Sequence, residues 1–549
     1  MDVRNSAGAS VKKWTAVSIL GAAQFVMVLD STVMNVSIST VVTDLDTTVS
    51  AMQGAITFYT LTMAAVMLLG AKLGDVWGRR RAFVIGSMVY ALGSLTTSLS
   101  PNFVTLFIGW SVIEGLGAVL VIPAIAALVA GNYEGKDRIS AYAIIGAISG
   151  AAVAAGPLIG GFFTTYLSWR YVFAGEVLIM IVVLLLVRKV ADASKPQRIS
   201  IDILSVLLSA VGLILVVFGM LQSKTWGWVR PSHPPVINGV TIAPLGISPT
   251  AYLIIIGSVL QWWFYVRQER LVARSRNPLV HVSMFGIRQL RSGLSVLGAQ
   301  YAITGGIFFM IPIYLQMTLG LDALATGIRI VPLSVSLILF SIVGTRLSRF
   351  WSPKAIVLLG QYILIAASLL LLSSVSLELR GWLFGTGLFF AGAALGLLAS
   401  QLGNVNMSSV TAKETSEVGG LQGVFQNLGS SLGTALIGSV LIASLGTSFV
   451  SAVNASSLPS DAKSMVNEQS SSGIGIVPVA SVDAIVEQAG LSASDGTTLT
   501  QLYSDSQVSS LRLSFFALTV IALFSLIFSR GIPSGKPKRP VPAKKQKAG

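Results

Sequence analysis

Long apolar runs alternate with short polar connections along almost the whole chain. A helix that crosses a bilayer needs about 20 predominantly apolar residues. About fourteen runs approach that length. The first seven lie near Trp14–Val36, Ile56–Leu73, Ala82–Leu99, Phe103–Leu128, Ile139–Thr164, Tyr171–Leu186 and Ile201–Leu221. The second seven lie near Tyr252–Val266, Ser292–Leu315, Ile328–Thr345, Ala355–Leu377, Trp382–Leu402, Leu421–Leu445 and Leu513–Phe528. The eighth is short, and the charge pattern below is what requires it. Composition agrees: 53% of the 549 residues are hydrophobic and 11% are charged, whereas soluble domains carry about 25% charged residues. The pattern therefore predicts an all-α integral membrane protein. Trp14 opens a long apolar span with no small-residue cleavage site after it, so no cleaved signal is expected.

The net charge of +15 would suggest nucleic acid in a soluble protein; here it asks which side of the membrane holds the charge. Alternate loops hold Lys12, Lys13, Arg79, Arg80, Arg81, Lys136, Arg138, Arg188, Lys189, Lys195, Arg198, Arg267, Arg270, Arg274, Arg276, Arg346, Arg349 and Lys354. The intervening loops hold few bases, such as Lys224, Arg230 and Lys463. Positive charge accumulates on the cytoplasmic side, so both termini are expected there, with an even helix count. The expected units are a cytoplasmic N-terminus (1–13), a six-helix bundle (14–187), a linker with two inserted helices (188–276), a second six-helix bundle (277–530) and a basic tail (531–549). The outer loop 446–510 is rich in Ser, Gly and Ala and is expected to form short amphipathic helices rather than a domain. The tail, with Lys536, Lys538, Arg539, Lys544, Lys545 and Lys547, is expected to be unstructured and drawn to anionic lipid.

The stretch Gly146–Phe163 is apolar yet made mostly of Gly and Ala, and it contains Pro157. Small residues let helix backbones approach in lipid, and Pro removes a donor and bends the helix. Tight packing alone accounts for such a stretch. Its ending, Gly156-Pro157-Leu158-Ile159-Gly160-Gly161, goes further and resembles the fifth-helix signature of proton-coupled exporters of the major facilitator superfamily. The loop Gly70-Ala71-Lys72-Leu73-Gly74-Asp75-Val76-Trp77-Gly78-Arg79-Arg80-Arg81 places an acid at the end of one helix and bases at the start of the next. The bases satisfy the positive-inside pattern, and the spacing of Gly74, Asp75, Gly78, Arg79 and Arg80 resembles the superfamily's loop between helices 2 and 3. The resemblance implies a cytoplasmic gate, with Ala71 and Val76 as departures that suggest a weaker latch. A degraded copy at Gly344–Lys354 keeps the bases without an acid, and its offset of eight helices implies two inserted between six-helix halves. Leu29–Asn35, Ser168–Phe173 and Tyr314–Pro332 are similar to further signatures of the same family. The chain thus resembles the fourteen-helix drug:proton antiporter branch.

Three acids lie inside the runs, where each costs about 2.5–3.5 kcal/mol on insertion scales. Asp30 shares a helix face with Met27 and Met34, and Met recurs on adaptable binding surfaces. Asp30 is read either as a structural acid or as a carboxyl that alternates between proton and cation. Glu114 lies one turn from Trp110, and the pair suits a lipophilic cation through charge and cation–π contact. The family usually has Arg where this chain has Ser111 and Gln where it has Glu114, so the family's coupling scheme does not carry over directly. Glu176 is expected to make a structural hydrogen bond, and Arg170 to anchor a turn. Tyr59, Gln300, Tyr301, Gln401 and Asn404 are polar or amphipathic groups available to line a cavity.

With no Cys and only His233 and His281, disulfides and nearly all transition-metal sites are excluded. No phosphate loop or nucleophile cluster is present, so an enzyme is not expected. The expectation is an exporter that uses the proton gradient and no cofactor. Its partners would be small lipophilic, cationic molecules, protons and membrane lipid, with no nucleic acid, and it would act as a monomer in the cytoplasmic membrane of a bacterium. Asp30 or Glu114 would carry the proton. An exporter dedicated to one endogenous metabolite, lipid or antibiotic is a second reading, and a membrane sensor without transport is a third.

Overall fold

The structure, a computed structural model, describes residues 3–192, 200–237, 240–410, 414–470, 475–482 and 492–535. The basic tail from Lys536, the linker bases Lys195 and Arg198, and parts of the 446–510 segment lie outside the described residues.

Long helices dominate: α1 (Val3–Asp44), α2 (Val49–Trp77), α3 (Arg79–Ser98), α4 (Phe103–Asn132), α5 (Gly135–Tyr166), α6 (Arg170–Leu186), α7 (Ile203–Trp226) and α8 (Pro249–Ala273) form the first set. The second set is α9 (Arg288–Thr318), α10 (Ala323–Leu347), α11 (Pro353–Ser374), α12 (Gly381–Met407), α13 (Thr415–Ala455) and α14 (Ala493–Phe528). Thirteen of them are long and apolar enough to cross a membrane. The exception is α3, whose first turn is Arg79, Arg80 and Arg81. Its 20 residues still give about 30 Å of helix, and it packs among the others as the fourteenth. Strand structure among the described residues is one two-residue antiparallel pair, Val236–Ile237 with Val240–Thr241.

The polar connections supply the helix ends. Side-chain oxygens of Thr48, Asn102, Asp202, Ser248, Asp322, Ser352 and Ser492 each accept from a backbone amide in the first turn of the helix that follows. Such caps satisfy donors that a helix leaves unpaired at its start. Two of these helices begin with Pro at the first position, Pro249 and Pro353, where its missing amide is harmless. Along the spans, apolar side chains point outward, among them Leu178, Leu185, Ile203, Trp262, Trp382 and Phe524. Outward apolar side chains suit a surface that meets lipid.

Helices α1–α6 pack together, with α1 against α5 and α3 against α4 and α6. Helices α9–α14 form a second bundle, with α10 and α11 against α12 and α9 against α13. Two seams join the bundles, α2 with α13 and α5 with α10. Hydrogen bonds cross between the bundles toward the end opposite the Gly78 loop. Gln53 Nε2 donates to the carbonyls of Thr434 (3.0 Å) and Ala435 (3.2 Å), and Ser431 Oγ to that of Thr57 (3.0 Å). Gln316 Nε2 donates to the Val36 carbonyl (2.8 Å), and the Leu324 amide to Thr165 Oγ1 (3.0 Å).

Helices α7 and α8 pack on each other, and α7 also lies against α2 and α13. Gly212 and Gly257 let their backbones touch: a Cβ at 257 would lie 2.6 Å from the Gly212 carbonyl oxygen. Asp202 accepts two hydrogen bonds from the Arg267 guanidinium (2.6 and 2.7 Å). That partner holds the Asp202 carboxyl well below the usual carboxylate range.

The 446–510 segment holds one short helix of the expected kind, Ser460–Ser470, but packs more closely than expected. α13 continues to Ala455 and α14 starts at Ala493, so both project beyond a 30 Å hydrocarbon layer. With the short helix Ser460–Ser470 they enclose Val453, Leu458, Ala462, Ile476 and Leu499. Tyr503 donates to the Gly475 carbonyl (3.0 Å) and stacks edge-on against Phe449. Scattered apolar residues in a Ser/Gly-rich stretch show no clear periodicity, and their packing against two helix extensions makes a small folded cap.

Candidate transport site

Helix α4 departs from regular α geometry at Phe107–Glu114, which winds as a π-helix. Such turns are rare and recur at functional sites. Here it carries both Trp110 and Glu114. Opposite it, α3 presents glycines. A Cβ at Gly93 would lie 2.5 Å from the Glu114 amide nitrogen, and one at Gly117 the same distance from that of Tyr90. The two backbones touch, and Glu114 is thereby fully buried.

Asp30 on α1 and Glu176 on α6 reach the same place. Carboxylate oxygens of Asp30, Glu114 and Glu176 lie within 4.8 Å of one another, and each residue is at most 1% exposed. Trp110 Nε1 donates to both Asp30 oxygens (2.9 and 3.1 Å), and the Tyr59 ring stacks on Trp110 with centroids 5.0 Å apart. Glu176 Oε2 accepts from Ser94 Oγ (3.2 Å) and Tyr90 Oη (3.4 Å). Neither oxygen of Glu114, nor Oε1 of Glu176, has a hydrogen-bond partner among the described residues. The other buried side chain among them with a formal charge is Arg79, at the start of α3.

Two full negative charges 4.8 Å apart repel by about 3 kcal/mol at an effective dielectric of 20. Three together, without a base, need neutralisation by protons or a cation. Carboxylate oxygens are the donors that hard cations take. Trp110 Nε1, however, already occupies both Asp30 oxygens, which suits a proton-exchanging group better than a metal ligand.

The remaining sequence candidates divide into groups. Met27 and Met34 are buried in the apolar packing around Asp30. Ser111 donates to the Ala55 carbonyl (2.8 Å), joining α4 to α2 where the family usually has Arg. In the second bundle, Gln300 donates weakly to the Leu395 carbonyl (3.4 Å), while its Oε1 is buried without a partner. Tyr301 is half-buried, Gln401 donates to the Gly344 carbonyl (3.1 Å), and Asn404 is exposed. None of the four belongs to the carboxyl cluster.

Gly156, Pro157, Gly160 and Gly161 lie where three helices meet. A Cβ at 156 would fall 1.8 Å from Thr32 Oγ1, two residues from Asp30, and one at 161 would fall 2.7 Å from the Ala323 carbonyl oxygen on α10. Gly160 rests on Val33 and Val36, and Gly327 of α10 rests on the Pro157 carbonyl. The stretch is therefore both a tight-packing surface within one bundle and a seam to the other.

At the loop after α2, Gly78 has φ +92°, a conformation side chains rarely adopt. The turn pairs Asp75 with Arg79, and Arg79 Nη1 donates to the Ala71 carbonyl (3.1 Å). Gly74 leaves room for that guanidinium, since a Cβ there would lie 2.8 Å from Nη1. Arg80 turns instead to the chain after α6, where its amide meets Asp192 (3.2 Å) and its side chain the Val190 carbonyl (3.3 Å). Asp75 is thus not the sole acid at these bases. Asp192, 112 residues away, gave no local signal. Asp44 was missed in the same way. It pairs with Arg170 and accepts from Trp169 Nε1 (3.0 Å), tying α6 to the end of α1.

The Major Facilitator Superfamily pattern matches residues 20–434. Similar proteins include the probable actinorhodin transporter of Streptomyces coelicolor, 26% identical over 78% of this chain and 72% of that one. The puromycin resistance protein of Streptomyces alboniger is 27% identical (79% and 82% covered), and the multidrug resistance protein Stp of Mycobacterium tuberculosis 26% (77% and 75%). Among solved structures, an inward-facing bacterial homologue of the human lysosomal transporter Spinster superposes with a TM-score of 0.59 at 15% identity, covering 95% of this chain and 98% of that one. A D-xylose-proton symporter gives 0.55 at 13%, with the same coverage. The match runs from within α1 into α13, across both bundles and the inserted pair, so this multi-pass membrane protein belongs to the Major Facilitator Superfamily.

Proposed function

We propose that the protein is a proton-driven exporter of lipophilic compounds, cations among them, in the cytoplasmic membrane of a bacterium. The observation that carries proton coupling is the sealed group of three carboxyls inside the first bundle, a position where charge is costly unless it is used. Export as the direction of transport is supported by the relatives named for antibiotic and drug resistance. The loop containing Gly78 would face the cytoplasm with both termini. The hydrogen-bonded ends of the two seams would then close the outer side, and the cavity between the bundles would open inward. Proton release and uptake at Asp30 and Glu114 would bias rocking about the seams. Asp75, Arg79 and Arg80 would hold the cytoplasmic ends of α2 and α3 in one of the two states. Substrate would lie between the bundles and meet Gln300 and Tyr301, and a monomer would suffice.

Everted membrane vesicles from an efflux-deficient host test this reading. Ethidium accumulation should follow an imposed pH gradient, stop with a protonophore, and be absent from vesicles without the protein. Gradient-independent accumulation would overturn proton coupling. A second reading, an exporter dedicated to one compound, is favoured by relatives named for single antibiotics. A susceptibility panel separates the two, since protection against one compound alone would favour the dedicated exporter.

A further inference from the structure

We propose that Asp30, Glu114 and Glu176 act as one proton store sealed within the first bundle, with Glu176 a proton carrier rather than a brace. Its part in transport rests on the proton-driven reading above. Three observations meet here. The carboxylate oxygens lie within 4.8 Å of one another, close enough that the charge on each depends on the other two. Glu114 is fully buried with both oxygens unpartnered, one of them in the group, and Oε1 of Glu176 is buried without a partner as well. The groups around them on every packed helix are uncharged: Tyr59 on α2, Tyr90 and Ser94 on α3, and Trp110 on α4. No buried base among the described residues balances them, because Arg79 is bound at the Gly78 turn.

The hydrogen bonds to Glu176 define its place without making it inert. Tyr90 and Ser94 both converge on Oε2, leaving Oε1 for a proton shared toward its neighbours. The store also lies inside one bundle, whereas the proposed function puts the cleft between the two. A substrate in that cleft would not touch these carboxyls, and protons would act on it through helix position. The route is short, because Thr32, two residues beyond Asp30, is the residue against which Gly156 of the α5–α10 seam is packed.

The test reads protonation directly. Infrared difference spectra of the protonated carboxyl stretch would be recorded on the purified full-length protein in lipid vesicles, between roughly pH 5 and 9. The wild type should titrate over a broad range rather than along a one-proton curve. Glu176→Gln keeps an oxygen for Tyr90 and Ser94 but removes a neighbouring charge. The remaining carboxyls should then ionise more readily, with the midpoint moving toward acid by about one pH unit. Glu176→Asp, which keeps the charge, should stay near the wild-type midpoint, and melting curves check that both variants fold. A midpoint in Glu176→Gln that matches the wild type would overturn the proposal and leave Glu176 a brace. Failure of proton-driven export is seen separately: wild-type vesicles that show no gradient-dependent ethidium uptake sink that reading, while the infrared titration still judges the cluster.

Discussion

At the residue scale, each buried polar group acts through the neighbours it touches. Asp30→Asn keeps an oxygen that can accept from Trp110 Nε1 (2.9 Å to Oδ1 in the wild type), and a neutral amide is cheaper in lipid than a carboxylate. The variant should fold normally and lose gradient-driven ethidium transport by about a hundredfold or more, the scale of one positioned proton-transfer group. Trp110→Phe keeps the stack on Tyr59 but removes the donor, so transport should fall less and its pH profile should move. Vesicle transport assays at several pH values read both. Asp30 and Glu114 were legible because an acid in an apolar run stands out. Their meeting with Glu176 was not. The three belong to α1, α4 and α6, and no spacing along the chain reports which helix faces converge. Glu176 was expected to make a structural hydrogen bond, and it does accept two; the same geometry also brings it to the other acids.

At the element scale, glycine positions decide which helices touch. A Cβ at Gly156 would fall 1.8 Å from Thr32 Oγ1, so Gly156→Ala must push α1 and α5 apart. Overpacking of this kind costs about 1–3 kcal/mol. The melting temperature should drop by several degrees, and adding Thr32→Ala should recover part of it. Equal stability of Gly156→Ala and wild type would contradict the packing described. The Gly/Ala-rich character of α5 was readable, as was its close packing; that one side meets α1 and the other α10 required coordinates. The Gly78 turn gives a second case. Asp75→Asn removes the partner of Arg79 but leaves Arg80 on Asp192. Turnover should slow by a few-fold, roughly the effect of one partly exposed ion pair, with insertion unchanged. Wild-type turnover would reduce the pair to a topology signal. Asp75 was legible beside these bases and Asp192 was not, because a contact between residues so far apart leaves no periodic trace.

At the scale of the whole molecule, hydropathy and the basic loops were enough to describe fourteen helices, and the resemblance to the major facilitator superfamily supplied the two bundles and the inserted pair. Even α3, with Arg, Ser and Thr in its 20 residues, was legible as the apolar run Ala82–Leu99, while the short eighth run was the one that the charge pattern required. The folded cap built from the ends of α13 and α14 was not legible, since its few apolar residues follow no period. Orientation can be checked with a reporter active only outside the cytoplasm: fused after Ser470 it should be active, and after Gly549 silent. Activity at the C-terminus would reverse the sidedness argued from charge. The central claim, that the acids of the first bundle link proton movement to export, is tested most directly in vesicles of purified protein holding a trapped pH dye. Ethidium added on the substrate side should drive a proton flux in the opposite direction in the wild type and none in Asp30→Asn. Equal fluxes in both, or ethidium transport without proton movement, would contradict the account.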